Sequence, residues 1–118
     1  MLWTVVRYRR ANGETPFDEF MEGLVPKDKA RVVRTVELLE TFGPRLTEPY
    51  AKKIQGSELW ELRVPSGSNA FRVFYVAWTG RTFVLFNGFR KKTQKTPLKE
   101  LARAQRLLSE MKEREKTR

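Results

Sequence analysis

The sequence predicts an α+β fold: a mainly antiparallel twisted sheet with an N-terminal helical hairpin on one face and a C-terminal helix. Three observations carry that expectation. From Leu59 to Arg90 apolar residues recur at every second position, the period of half-buried strands. Helix start and stop signals flank that segment on both sides, at Thr15-Pro16, Pro26, Gly43-Pro44 and Thr96-Pro97. A length of 118 residues fits one two-layer core and is too short for two ordinary ones, so residues 1–118 read as a single domain.

The elements follow in order. Leu2 to Arg9 alternates as a strand. Thr15-Pro16 is an N-cap followed by an N1 proline, opening a short helix through Phe17, Phe20 and Met21 that Gly23 ends, with Asp18 and Glu19 in the first turn favoured by the helix dipole. Pro26 opens a longer helix in which Val32, Val36 and Leu39, or Val33, Val36 and Phe42, share the inner face; Gly43-Pro44 stops it. Then comes a three-strand meander. Trp60, Leu62 and Val64 alternate with Glu61 and Arg63, "PSGSN" turns the chain, Phe71, Val73 and Tyr75 alternate with Arg72 and Phe74, and a turn at Thr79-Gly80 leads to Phe83, Leu85, Asn87 and Phe89. Thr96-Pro97 opens the last helix, whose buried stripe is Leu101, Ala104, Leu108 and Met111, with a frayed tail from about residue 112.

Composition narrows the function. The net charge is +10, and residues 1–50 hold eight of the 24 Lys/Arg and eight of the 14 Asp/Glu, so residues 51–118 carry the whole excess, sixteen against six. A one-sided basic surface is the footprint of a phosphate-backbone binder. The absence of cysteine excludes disulfides and thiolate catalysis and fits a reducing compartment, with the cytoplasm as the expected location. Histidine is absent too, which removes the usual general base and the commonest metal ligand; no acidic pair has metal spacing, and no cofactor is implied. The apolar run Leu2 to Val6 is too short for a signal-peptide core or a membrane span.

The meander's register sets the candidate site. Pairing Arg63 with Arg72 across the first turn, and Trp78 with Thr82 across the second, sets Arg72 opposite Gly88 and gives a core face of Trp60, Leu62, Phe71, Val73, Tyr75, Phe83 and Leu85. The other face then gathers Arg63, Arg72 and Arg90 beside Gly88, where a ligand backbone can approach closely. Lys91, Lys92 and Lys95 extend the positive field towards the last helix, and Lys52 and Lys53 add to it from the other side. The competing explanations are edge charges that discourage aggregation and, for Arg63 or Arg72, an ion pair with Glu61 or a helix carboxylate.

Guanidinium forks suit phosphate because they donate two parallel hydrogen bonds and stay charged. Cleavage of RNA by its 2′-hydroxyl also needs a base. A lysine crowded by cations loses its proton more easily, and Glu48 and Glu61 are alternatives. A non-catalytic RNA-binding groove needs much the same charges.

The segments "LWELRV", "FRVFY", "VLFNGFRKKTQKTP" and "LKELARA" together resemble the RelE toxin superfamily, in particular its HigB-like, phage-derived branch, over nearly the whole chain and most densely from Leu59 to Ala104. The resemblance implies a type II toxin that cleaves mRNA in the ribosomal A site without a metal, and a small helix-turn-helix antitoxin as partner. It implies a transition-state role for Arg72, a second catalytic arginine at Arg90, and a retained charge at Arg63. Glu61 stands where RelE has a lysine, and RelE's C-terminal tyrosine has no match. Glu48-Pro49 resembles a glutamate base of some members; Lys91, Lys92 and Lys95 match the branch's basic motif, and Lys92 counts among the catalytic candidates. Two alternatives remain: a ParE-like poison of DNA gyrase, and a non-catalytic RNA or ribosome binder.

Overall fold

The computed structural model describes residues 2–66, 69–92 and 95–116. One five-stranded sheet forms from β1 (Thr4–Arg7), β2 (Ala51–Lys53), β3 (Trp60–Ser66), β4 (Asn69–Trp78) and β5 (Thr82–Lys91), in the spatial order β1-β5-β4-β3-β2. The expected meander is its centre: Arg63 pairs with Arg72, and Trp78 with Thr82. The tip of the first turn, residues 67 and 68, lies outside the described residues. Two short edge strands complete the sheet. β1 runs parallel to β5, with Val5 beside Phe83, and β2 lies antiparallel to β3.

The hairpin of α1 (Pro16–Glu22) and α2 (Pro26–Phe42) covers one face, where Phe17, Val32 and Leu39 meet Leu62, Val64, Phe71, Val73, Tyr75, Phe83 and Leu85. Of the two expected inner faces of α2 the first is used: Val32 and Leu39 are buried, whereas Val33 and Phe42 are exposed. Thr35 joins the buried stripe and satisfies its hydroxyl on the Arg31 carbonyl. Gly43 ends α2 at φ +54°, and a Cβ there would stand 2.3 Å from the Trp3 indole nitrogen, so both backbone and space require glycine.

On the opposite face α3 (Leu98–Lys116) buries Ala104, Leu107, Leu108 and Met111 against Phe74, Val76, Val84, Phe86 and Phe89. The core is therefore two apolar layers with the sheet between them, each buried Leu or Phe side chain contributing about 1.5–3 kcal/mol. α3 continues past Met111 instead of fraying at 112. Lys112 pairs with Glu58, and Arg114 donates to the Arg9 carbonyl at 2.6 Å and to the Tyr8 hydroxyl at 3.2 Å, tying the last turns to the sheet.

The register differs from expectation at one place. Val73 pairs with Gly88 and Tyr75 with Leu85, so Phe74 alone faces two residues of β5, Phe86 and Asn87. This β-bulge reverses the facing of every later side chain in the strand. Phe86 and Phe89, an odd number of residues apart, consequently both lie under α3. Arg72 stands opposite Phe89 and not opposite Gly88.

Candidate nucleic-acid interface

The bulge separates the three arginines. Arg63 and Arg72, directly paired across β3 and β4, project on the α3 side of the sheet. Arg90 pairs with Phe71, whose ring belongs to the helix-hairpin core, and its guanidinium lies 4.8 Å from the centre of that ring. The expected convergence of Arg63, Arg72 and Arg90 on one face does not occur. Gly88 serves the chain itself: a Cβ there would stand 2.5 Å from Cδ2 of Phe20, so the missing side chain admits α1 and not a ligand backbone.

A smaller cluster forms around Glu61, which sequence reasoning had as a competing ion-pair partner and as a possible base. Alternation puts Glu61 two residues before Arg63, hence on the same face, and it is fully buried. Its Oε1 accepts from Arg63 Nε at 3.2 Å and from Arg72 Nε at 3.1 Å, while Oε2 accepts from the Thr96 hydroxyl at 2.8 Å. Arg72 also donates from Nη1 to the Phe71 carbonyl. Both bonds from arginine to Glu61 use Nε. Among the described residues the terminal nitrogens of Arg63 make no hydrogen bond, and 24% of that side chain is exposed against 12% for Arg72.

Two lysines complete the cluster. Lys52 pairs with Glu61 in the β2–β3 ladder and therefore shares its face. Lys91 at the end of β5 has its pKa lowered below 10.5, first by desolvation and then by the charge of Arg72, with Glu61 opposing and Arg63 and Lys52 adding. Burial likewise lowers Arg72, Glu61 acts against that shift, and Arg63 adds to it. One carboxylate thus faces four cations, Arg63, Arg72, Lys52 and Lys91. The surplus charge sits beside an open cleft of about 350 Å³ lined by Pro49, Tyr50, Arg63, Pro65, Ala70 and Arg72. Such a place attracts an anion that brings an apolar body with it.

The other candidates stand apart from this cluster. Lys53 alternates to the other face of β2, and its ammonium donates to the Ser57 carbonyl. Lys92 is exposed just beyond β5, and Lys95 is exposed on the approach to α3. Glu48 is exposed and precedes Pro49 through a cis peptide bond; the cleft wall begins at Pro49. Sequence reasoning assigned Thr96 as a helix cap and overlooked Tyr50. The signal for Tyr50 was an aromatic residue between a proline and the lysine pair.

Asn87, in the bulge, holds the neighbouring wall. Its buried amide donates to the Glu100 carbonyl at 3.1 Å and to the Glu100 carboxylate at 3.3 Å, fixing the first turn of α3 over the sheet. Thr96 does the same from the strand side through Glu61.

Residues 19–109 match the family described as Phage derived protein Gp49-like (DUF891), and the chain belongs to that family. The match spans every residue of the cluster, from Lys52 to Thr96. The Gp49-like proteins are a toxin-like family of the RelE/HigB type. No curated protein matches the chain.

Proposed function

We propose, from its place in a toxin-like family, that the chain is the toxin of a type II toxin–antitoxin pair of the HigB-like branch, and that it cleaves mRNA on the translating ribosome. The observation that carries this reading is the Arg63–Glu61–Arg72 cluster, which holds two guanidinium groups in fixed positions at the rim of an open cleft. Preorganised donors of this kind stabilise charge that develops in a transition state.

In the proposed reaction the RNA 2′-oxygen attacks the adjacent phosphorus. Arg72 and Arg63 donate to the non-bridging oxygens of the phosphorane. Lys91 takes the 2′-hydroxyl proton, because its lowered pKa makes the neutral amine more accessible than for an ordinary lysine. Breakage of the bond to the 5′ oxygen leaves a 2′,3′-cyclic phosphate, and the departing oxygen gains its proton from the water that enters the cleft. Lys52 holds a flanking phosphate, and Lys92 and Lys95 continue the basic track towards α3. A cytoplasmic location and a small helix-turn-helix antitoxin encoded beside this chain belong to the same reading.

A second reading draws on Glu61, whose charge offsets much of the two arginines' positive charge. That favours a groove that binds RNA or the ribosome without cutting. Induction of the chain alone, with mRNA ends mapped across the transcriptome, separates the two. Codon-periodic breaks that fall about 100-fold with Arg72→Ala support cleavage. Intact mRNA with the protein on ribosomes selects the binder, and intact mRNA with stalled replication selects a gyrase poison.

A further inference from the structure

We infer that Tyr50 is a stacking platform for one unpaired nucleobase of a single-stranded RNA whose phosphate lies on Arg63 and Arg72. The inference rests on the RNA reading above and adds the subsite that holds a base.

Tyr50 is 38% exposed, among the few large apolar side chains on the surface. Among the described residues its ring packs on no other aromatic ring and its hydroxyl makes no hydrogen bond. Its backbone, by contrast, is fixed on both sides. The Arg63 amide donates to the Tyr50 carbonyl at 2.7 Å, and the Tyr50 amide donates to the Thr47 carbonyl at 3.0 Å. Pro49 precedes it, which restricts the main chain further.

The carbonyl bond extends the β2–β3 ladder by one rung, so Tyr50 stands across from Arg63 on the face that carries Lys52, Glu61 and Arg72. Adjacent strands lie about 4.8 Å apart, close enough for a nucleotide to span both residues. The cleft between them is walled by Pro49, Pro65 and Ala70, with both arginines at its charged side. An apolar slot with one half-exposed ring beside fixed guanidinium donors matches a nucleotide, with its anionic backbone and flat π face. Inorganic phosphate or an acidic peptide would satisfy the arginines and leave the slot unused.

The test uses the full chain and labelled RNA hexamers with every 2′-hydroxyl methylated to block cleavage. One series carries all bases; the other carries a single abasic site walked along the strand. In fluorescence anisotropy the wild type loses about tenfold in affinity when the abasic site falls at one particular position. Tyr50→Ala binds the complete hexamer about tenfold more weakly and no longer discriminates that position, while Tyr50→Trp keeps the discrimination. Arg63→Gln weakens all hexamers alike. Equal abasic profiles for wild type and Tyr50→Ala, with binding intact, overturn the base platform and leave the RNA reading standing. Failure of the wild type to bind any hexamer overturns the platform, and the mRNA-end mapping above then decides the RNA reading separately. Tyr50→Leu, which keeps an apolar side chain of similar reach, separates stacking from simple packing: if it behaves as wild type, the platform is overturned.

Discussion

Glu61 shows how much one buried carboxylate can organise. With 2% of its side chain exposed, it is tolerated inside a sheet because Arg63, Arg72 and Thr96 all donate to it. Glu61→Gln keeps the shape and removes the charge, leaving two guanidinium groups to repel each other across the β3–β4 ladder. The expected cost is about 3 kcal/mol in urea unfolding, the lower end for buried pairs because both arginines keep some exposure. An unchanged midpoint would show that the arginines are held by something else. Lys91, as the base of the proposed cleavage, gives a second prediction. A base acts in its neutral form, and a lowered pKa moves the rise of activity with pH below lysine's ordinary 10.5. Cleavage by programmed ribosomes should climb with pH in that range, and Lys91→Arg, which stays protonated, should flatten the climb. The pairing of Arg63 with Arg72 was legible in the sequence, since alternation and the turn fix it. That Glu61 would hold both was visible only as one option, because strand parity shows a shared face but not which polar partner wins.

At the scale of elements, the bulge in β5 decides what the site contains. Helix boundaries at Pro16, Gly23, Pro26 and Gly43 were readable because proline and glycine act locally. The bulge was not read, although a glycine inside a strand pattern signals either a bulge or a close approach. Here Gly88 serves both, with the bulge just before it and Phe20 over it, and the choice depended on a helix about seventy residues earlier in the chain. Gly88→Ala should therefore cost about 1–3 kcal/mol through overpacking, and Phe20→Leu in the same chain should recover part of it. A double-mutant cycle with no coupling would remove Phe20 as the reason for the glycine. The far end of α3 is held by Glu110, whose pKa is lowered from 4.5 chiefly by its hydrogen bond from Arg10 and further by Tyr8, against the opposing effect of burial. A depressed carboxylate stabilises above its unfolded pKa and loses that contribution as pH falls through the folded one. The gap in thermal midpoint between wild type and Glu110→Gln should be open at neutral pH and close below about pH 4.5. A gap that ignores pH would mean that the carboxylate's charge plays no part.

Across the whole molecule, charge asymmetry was legible from composition alone, and in the proposed RNA reading it sets the salt dependence of binding. Each cation that neutralises a phosphate of single-stranded RNA adds about 0.7 to the slope of log affinity against log salt. Lys52→Ala should lower that slope by about 0.7, whereas Lys53→Ala, on the other face and bonded to the Ser57 carbonyl, should leave it alone. Equal effects would place the RNA along the strand edge and not on the α3 side. The antiparallel centre of the sheet was legible as well; its parallel edge was not, because the partners Val5 and Phe83 are separated by most of the chain and no local pattern joins them. That edge has a consequence for biosynthesis. The first strand to be made has no place until one of the last is complete, and the latch from Thr96 to Glu61 comes later still. A nascent chain cannot close this parallel edge before Phe83 has been made, so the sheet gains its last neighbour late, however early the hairpin of helices has formed.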